Sequence, residues 1–244
     1  MAQKNRYGFV IDVARCIDCR ACLVACRVEN EVSLPHTRIW VKDQGLRGTF
    51  PDLAREFVPY NCMHCEHPPC IEVCTSGATF KDPDNGLVLV DQEACIGCGL
   101  CVEACPYDAR YLDPTRGVVD KCTGCVHRVE RGEEPACVAT CLGGARMFGD
   151  FNAPTSEVSQ ALARATQVRQ LVTDEVDPDP NIYYLNGDVM QTGLLPRLPR
   201  YTTAETLWRG VAIPAVIAGI TLSFLGQAVA FTKQLIEGEQ EFEE

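Results

Sequence analysis

Sixteen cysteines in a chain of 244 residues restrict the fold more than any other feature, because none of them falls outside a regular pattern. Cys16, Cys19, Cys22 and Cys26 read C-x2-C-x2-C-x3-C. Cys62, Cys65, Cys70 and Cys74 read C-x2-C-x4-C-x3-C. Cys95, Cys98, Cys101 and Cys105 repeat the first spacing and are followed by Pro106. Cys122, Cys125, Cys137 and Cys141 read C-x2-C-x11-C-x3-C. Such density has three ordinary explanations: disulfides, structural zinc or iron–sulfur clusters.

A disulfide scaffold is usually a much shorter secreted chain. The polar opening Met1-Ala2-Gln3-Lys4-Asn5-Arg6-Tyr7 has no apolar stretch, cleavage site or twin arginine, so no export signal is expected. Zinc ribbons need two C-x2-C pairs and four cysteines in all. A third cysteine at x2 and a fourth at x3, repeated through the chain, have no role in that geometry. The first and third groups carry the bacterial ferredoxin spacing. Three thiolates two residues apart in a tight loop bind three corners of one cubane. The fourth, three residues on, points toward a different cluster. Groups then work in pairs, each lending its last cysteine to its partner, and sixteen thiolates suffice for four [4Fe–4S] clusters.

With four cysteines available per cluster, histidines are not needed as ligands. His64 and His67 inside the second group, and His127 after Cys125, are expected beside the ligands or at the surface. His36, next to Pro35, is expected at the surface. The balance of 22 basic against 33 acidic residues, a net charge of −11, argues against nucleic acid, which needs a basic face.

Short β-rich runs flank the cysteines at Tyr7 to Val13, Arg38 to Lys42, Glu56 to Tyr60, Leu87 to Val90 and Met147 to Phe148. Asp84-Asn85-Gly86 is a turn entering the fourth of these. Short helices are expected from Gly99 to Ala104 and from Pro135 to Thr140. After Asp150 the cysteines stop. Pro154-Thr155-Ser156 opens a helix expected to run to about Leu171, with Ser or Thr as N-cap. Thr173 to Arg200, rich in Asp, Pro and Gly, reads either as an extended arm wrapping a partner or the same domain, or as a plain linker.

From Gly210 to Thr232 there is no charged residue. At 1.5 Å per residue this stretch spans a bilayer core of about 30 Å. Trp208 and Arg209 at one edge and Lys233 at the other suit interfacial anchors, and Pro214 is tolerated in a membrane helix. Ala212, Ala215, Gly219, Ser223, Gly226 and Ala230 lie on or near one stripe, expected to pack on another membrane subunit. The span has no histidine or methionine and so offers no ligand for a b-type haem.

The fold class expected is α+β: two bacterial-ferredoxin-like two-cluster modules with a C-terminal single transmembrane helix. The division is 1–150 for the four-cluster domain, 151–200 for helix and arm, 201–235 for the membrane helix with its flanks, and 236–244 for an acidic tail. Arg197, Arg200 and Arg209 precede the span, whereas Lys233 alone follows it ahead of Glu237, Glu239, Glu241, Glu243 and Glu244. That bias favours the cluster domain on the cytoplasmic side of the cell membrane.

The cysteine motifs resemble those of the iron–sulfur electron-transfer subunits of the molybdopterin oxidoreductase superfamily, from about Tyr7 to Tyr184. The resemblance is carried by Cys-Ile-Asp-Cys-Arg-Ala-Cys at 16–22, Cys-Met-His-Cys-Glu-His-Pro-Pro-Cys at 62–70, Cys-Ile-Gly-Cys-Gly-Leu-Cys-Val-Glu-Ala-Cys-Pro-Tyr-Asp-Ala-Arg at 95–110, Lys-Cys-Thr-Gly-Cys at 121–125 and Phe148-Gly149-Asp150. The four-cluster subunits of polysulfide- and dimethyl sulfoxide-reductase-type complexes are most similar. The C-terminal span is instead similar to formate dehydrogenase and some hydrogenase-linked subunits.

The resemblance implies that group one shares clusters with group four, and group two with group three. The implied sets are Cys16, Cys19, Cys22 and Cys141; Cys26, Cys122, Cys125 and Cys137; Cys62, Cys65, Cys70 and Cys105; and Cys74, Cys95, Cys98 and Cys101. Nitrate reductase subunits have tryptophan where Cys98 stands, so no three-iron centre is implied. Thr75 and Leu142 replace a common proline. The implied function is electron transfer without catalytic residues, between a large molybdopterin-containing subunit and a quinone-binding membrane subunit. The alternative is a membrane-tethered polyferredoxin carrier or a hydrogenase-linked electron-transfer subunit. Relatives exported already folded on a partner's signal would have the opposite topology.

Overall fold

The computed structural model describes residues 5–190, 193–198 and the helix at 213–238, in which side chains are described at 215, 216 and 218–233. Trp208, Arg209, Arg200, residues 210–212 and Glu239, Glu241, Glu243 and Glu244 lie outside the described residues. The chain divides into two compact units, Met1–Pro199 and Arg200–Glu244.

In the first unit, a hairpin stands between each pair of consecutive cysteine groups. Strands β2 (Ile39–Thr49) and β3 (Asp52–Asn61) separate groups one and two. Strands β4 (Thr79–Lys81) and β5 (Val88–Val90) separate two and three, and β6 (Arg110–Asp113) and β7 (Val118–Lys121) separate three and four. Strand β1 (Tyr7–Asp12) leads into group one and β8 (Arg146–Asp150) leaves group four. The two pair antiparallel, with Tyr7 opposite Asp150 and Ile11 opposite Arg146. The two ends of the cysteine-bearing region are thereby joined.

Strand β1 is buried on both faces. Phe9, Ile11 and Val13 enter the main core with Ile39, Val58, Met63 and Tyr107, among buried cysteines. Val10 points the other way, onto Met147, Val158 and Leu185, as the twofold side-chain period of a strand requires. The helix over that second face runs Glu157–Arg164, and Ser156 caps it by accepting from the Ser159 N–H at 3.2 Å. It ends well short of Leu171. Val168–Arg169 (β9) instead pairs with Ile182–Leu185 (β10), and β10 runs parallel to β1 in a sheet ordered β8-β1-β10-β9. The β-branched Thr166 and Val168 have an open strand edge beside them, and pairing there outcompetes further helical turns.

The stretch after 173 wraps its own unit. Leu171, Ile182, Tyr184 and Val189 are fully buried in the main core. Asn181 donates its N–H to the Met63 carbonyl at 2.9 Å, and its side-chain amide to the His64 carbonyl at 2.9 Å and to Glu66 Oε1 at 2.7 Å. Gly8 lies so close to this segment that an added Cβ would stand 2.3 Å from the Asn181 carbonyl oxygen.

Among the described residues of the second unit is one helix, Ile213–Gly238, of 26 residues. Leu222, Phe224, Leu225, Val229 and Phe231 are all exposed on it. Among the described residues no helix is long and apolar enough to cross a membrane, so the span expected over 210–232 is not established by the structure.

Truncating the fully buried Ile182 to alanine is expected to cost about 2–5 kcal/mol through the cavity left between β1 and the arm. A thermal melt followed by circular dichroism reads this, and an unchanged melt would place the arm outside the core.

Candidate iron–sulfur sites

None of the sixteen cysteines forms a disulfide. One cavity is lined by Cys16, Cys19, Cys22 and Cys141, with Val41, Pro59 and Arg146 in its wall. A second is lined by Cys26, Cys122, Cys125 and Cys137, with Phe9, Ile39, Asn30 and Arg38. In each, three cysteines come from one group and the fourth from the other. The structure also brings Cys65 together with Cys62, Cys70 and Cys105. Cys74 Sγ accepts from the Thr79 N–H of β4 at 3.2 Å, and Cys95 Sγ accepts from the Val119 N–H of β7 at 3.4 Å.

The C-x2-C loops share one backbone device. Asp18, His64, Gly97 and Gly124, each immediately before the second cysteine of its group, all have positive φ, from 47° to 66°. A left-handed residue there turns the chain so that successive thiols face inward and N–H groups approach sulfur, as the Gly124 N–H approaches Cys122 Sγ at 3.4 Å. Gly97 is required on a second count, because a Cβ would meet the Gly117 carbonyl oxygen at 2.2 Å. The Ala109 N–H reaches Cys105 Sγ at 3.4 Å and the Ala145 N–H reaches Cys141 Sγ at 3.2 Å, an i+4 contact in both groups.

Left as thiols, several of these cysteines resist ionisation. Burial pushes Cys22 up to about 11, with Arg146 pulling the other way. Burial, reinforced by neighbouring cysteines, pushes Cys105 and Cys122 up to about 12, and raises Cys26 and Cys65 as well. Cys74 differs: burial opposes its ionisation, but hydrogen bonds from Thr79 and Ser76 hold it below its ordinary value. Thiols so buried become thiolates when a metal takes the place of the proton.

The surroundings fit a bound anion. Arg110 Nε, Arg146 Nε and Nη1, and His64 Nε2 are buried with no hydrogen-bond partner in the described structure. Buried donors, and buried charges above all, are costly unless something accepts them. An iron–sulfur core held by four thiolates supplies both acceptor sulfurs and negative charge.

The histidines are dispersed. His64 is completely buried, and burial, aided by Lys121 and Arg110, lowers its pKa well below the ordinary value. Its Nδ1 accepts from the Val88 N–H at 3.1 Å, so the ring proton lies on Nε2. His127 pairs with Glu29 at 2.8 Å near the surface, and the His67 N–H donates to the Pro178 carbonyl at 3.0 Å. His36 stacks on Tyr111, their ring centroids 4.4 Å apart.

Spacing did not single out the buried cations. Lys121 Nζ donates to the carbonyls of Val88 and Cys122. Arg38, beside the second cavity, forms a two-point pair with Asp120 at 2.7 and 3.0 Å. Arg110 and Arg146 each stand five residues after the last cysteine of their group, in a repeated Cys-x3-Ala-Arg at 105–110 and 141–146. That repeat was the available signal.

Residues 8–75 match the model of a 4Fe–4S dicluster domain and residues 53–151 match that of another, the two overlapping at the second cysteine group. Fold and site thus define a 4Fe–4S dicluster protein. The chain is 40% identical over 210 residues to a subunit of the tetrathionate reductase of Salmonella typhimurium, covering 85% of this chain and 82% of that protein. It is 39% identical over 216 residues to a putative iron-sulfur subunit of dimethyl sulfoxide reductase from Halobacterium salinarum, covering 76% and 80%. To a subunit of the sulfite dehydrogenase of Allochromatium vinosum it is 42% identical over 178 residues, covering 65% and 74%. The chain belongs to this family of iron–sulfur electron-transfer subunits of molybdopterin oxidoreductases.

Removing the Arg38 side chain by Arg38→Ala leaves the Asp120 carboxylate buried without its main partner, and should cost about 3–5 kcal/mol. Pairing it with Asp120→Asn should recover much of the loss in denaturant unfolding. A double variant no more stable than the single one would show that charge is not the cause.

Proposed function

We propose that this chain holds four [4Fe–4S] clusters and relays single electrons between a molybdopterin catalytic subunit and a quinone-reactive membrane subunit. The ligand sets of the proposal are Cys16, Cys19, Cys22 and Cys141; Cys26, Cys122, Cys125 and Cys137; Cys62, Cys65, Cys70 and Cys105; and Cys74, Cys95, Cys98 and Cys101. The observation that carries it is the pair of cavities in which groups one and four exchange their last cysteines. When bound, each cluster takes up and releases one electron, at a potential tuned by charge, burial and hydrogen bonds to sulfur. The chain supplies that tuning through buried thiolates, the N–H groups of Thr79, Ala109, Gly124 and Ala145, and the buried cations. Relatives at similar identity carry names with three different substrates, which assigns substrate choice to the catalytic partner.

Purified without oxygen, the protein should contain about sixteen iron and about sixteen sulfide per chain, with broad visible absorption. Folded protein with fewer than about ten iron, or with stoichiometric zinc, would overturn the four-cluster reading.

We infer further that 210–232 crosses the cell membrane once and places the cluster domain in the cytoplasm. The uncharged sequence and the apolar side chains exposed around the helix support the span, and the small residues Ala215, Gly219, Ser223, Gly226 and Ala230 suit contact with a membrane partner. Orientation rests on Arg197, Arg200 and Arg209 against Lys233. Protease added to intact spheroplasts should spare the cluster domain and trim only the acidic tail. Digestion of the cluster domain would reverse the orientation.

A further inference from the structure

We propose that Arg146 and Arg110 are fixed cations, one in each half of the site, that lie between neighbouring clusters and raise the reduction potentials of both neighbours. The inference rests on the proposed four-cluster function and adds to it the residues that couple the clusters in pairs.

Both arginines open a strand five residues after the last cysteine of their group, and both are buried, at 2% and 4% exposure. Arg146 lines the first cavity with Cys16, Cys19, Cys22 and Cys141. Its guanidinium lies over the Phe9 ring, 5.3 Å from the centroid, and Phe9 lines the second cavity. Arg146 Nη2 donates to Asn61 Oδ1 at 2.5 Å, while Asn61 Nδ2 stands 3.7 Å from Cys122 Sγ. Arg146 therefore faces Cys22 of one proposed set and Cys137 and Cys122 of the other. Arg110 repeats the arrangement. It donates to Cys70 Sγ at 2.9 Å and to Thr79 Oγ1 at 3.2 Å, and faces Cys70, Cys62 and Cys105 of the third set and Cys101 of the fourth.

Packing alone does not account for these side chains. Among the described residues neither guanidinium meets a carboxylate, and Arg110 Nε and Arg146 Nε and Nη1 have no acceptor. An arginine cannot shed its charge to escape burial, so its compensation must come from anions, and the facing groups are thiols. A cluster becomes more negative by one charge on reduction, so a fixed cation beside it favours the reduced form. The interaction is strong because the surroundings exclude water. Seated between two clusters, the same cation also offsets their mutual repulsion when both are reduced.

The test is a potentiometric titration of the purified full-length protein with dithionite and mediators, each cluster being followed by its electron paramagnetic resonance signal. Arg146→Gln should lower the reduction equilibrium constant of two clusters at least tenfold, about 59 mV for one electron, and leave the other two in place. Arg110→Gln should move the complementary two. Arg146→Lys and Arg110→Lys, which keep charge but lose the forked hydrogen bonds, should stay near the unaltered potentials. No shift, an equal shift of all four clusters, or lysine variants that move as far as the glutamine ones would overturn the proposal. If the glutamine variants lose iron, lysine variants that keep the full complement and its potentials support it, and lysine variants that lose iron equally overturn it. The iron content of the unaltered protein, measured first, separates failure of the four-cluster reading from failure of this one.

Discussion

Ile11 lies opposite Arg146 in the ladder between β1 and β8, and that register sets where the first cysteine loop leaves the sheet and where the fourth enters it. Cys16 follows β1 after one short turn at Val13–Arg15, and Cys141 precedes β8 by a loop of similar size. Two thiols far apart in the chain therefore open onto the same cavity. Once that closure exists, the hairpin between groups three and four carries Cys122 and Cys125 to the adjoining cavity, where Cys26 awaits at the end of the first group's helix, Ala21–Glu29. A strand that holds a site together in this way has to be secured on both faces, and β1 is, by the main core on one side and by Val158 of the capped helix on the other.

The second constraint is electrostatic. Sulfur ligands buried this deeply add negative charge to a poorly polarisable interior, and the chain answers with Arg38, Arg110, Lys121 and Arg146, all buried. They are not equivalent. Arg38 is neutralised by Asp120, which also accepts from Arg116 at 3.0 Å and from Tyr111, so this pair holds the β6–β7 hairpin to the strand entering β2. Lys121 is directed onto two backbone carbonyls. Arg110 and Arg146 retain unused donors beside the thiols. Structural charge and charge available to a cofactor are thereby assigned to different residues.

Much of this was legible in the residues. Cysteine spacing marked the four groups, β-rich runs marked β1 and the strands after groups one and four, and Ser156 announced its helix. The arm was harder. A segment rich in Asp, Pro and Gly reads the same whether it floats or docks, because its anchors are backbone hydrogen bonds and scattered single side chains: Asn181 on the second group's loop, Leu171 under the Tyr107 hydroxyl at 2.8 Å, and Ile182 beside Phe9. No periodicity records such contacts. The histidine at position 64 was obscured for a related reason. Its type suggests a ligand or a surface residue, yet it occupies a left-handed turn position that glycine fills in groups three and four. The loop's backbone, not the imidazole's chemistry, explains its place, and histidine is among the side chains that tolerate that conformation.

At equal offset from their last cysteine, the four groups are not alike. Five residues on, groups three and four have Arg110 and Arg146, whereas groups one and two have Glu31 and Thr79. Each of the two arginines finds a neutral hydrogen-bond acceptor. Thr79 accepts a hydrogen bond from Arg110, while Asn61 takes that part for Arg146 because Glu31 is exposed. Groups one and four thus complement each other: group four carries Arg146, and each of the two lends its last cysteine to the cavity that the other lines.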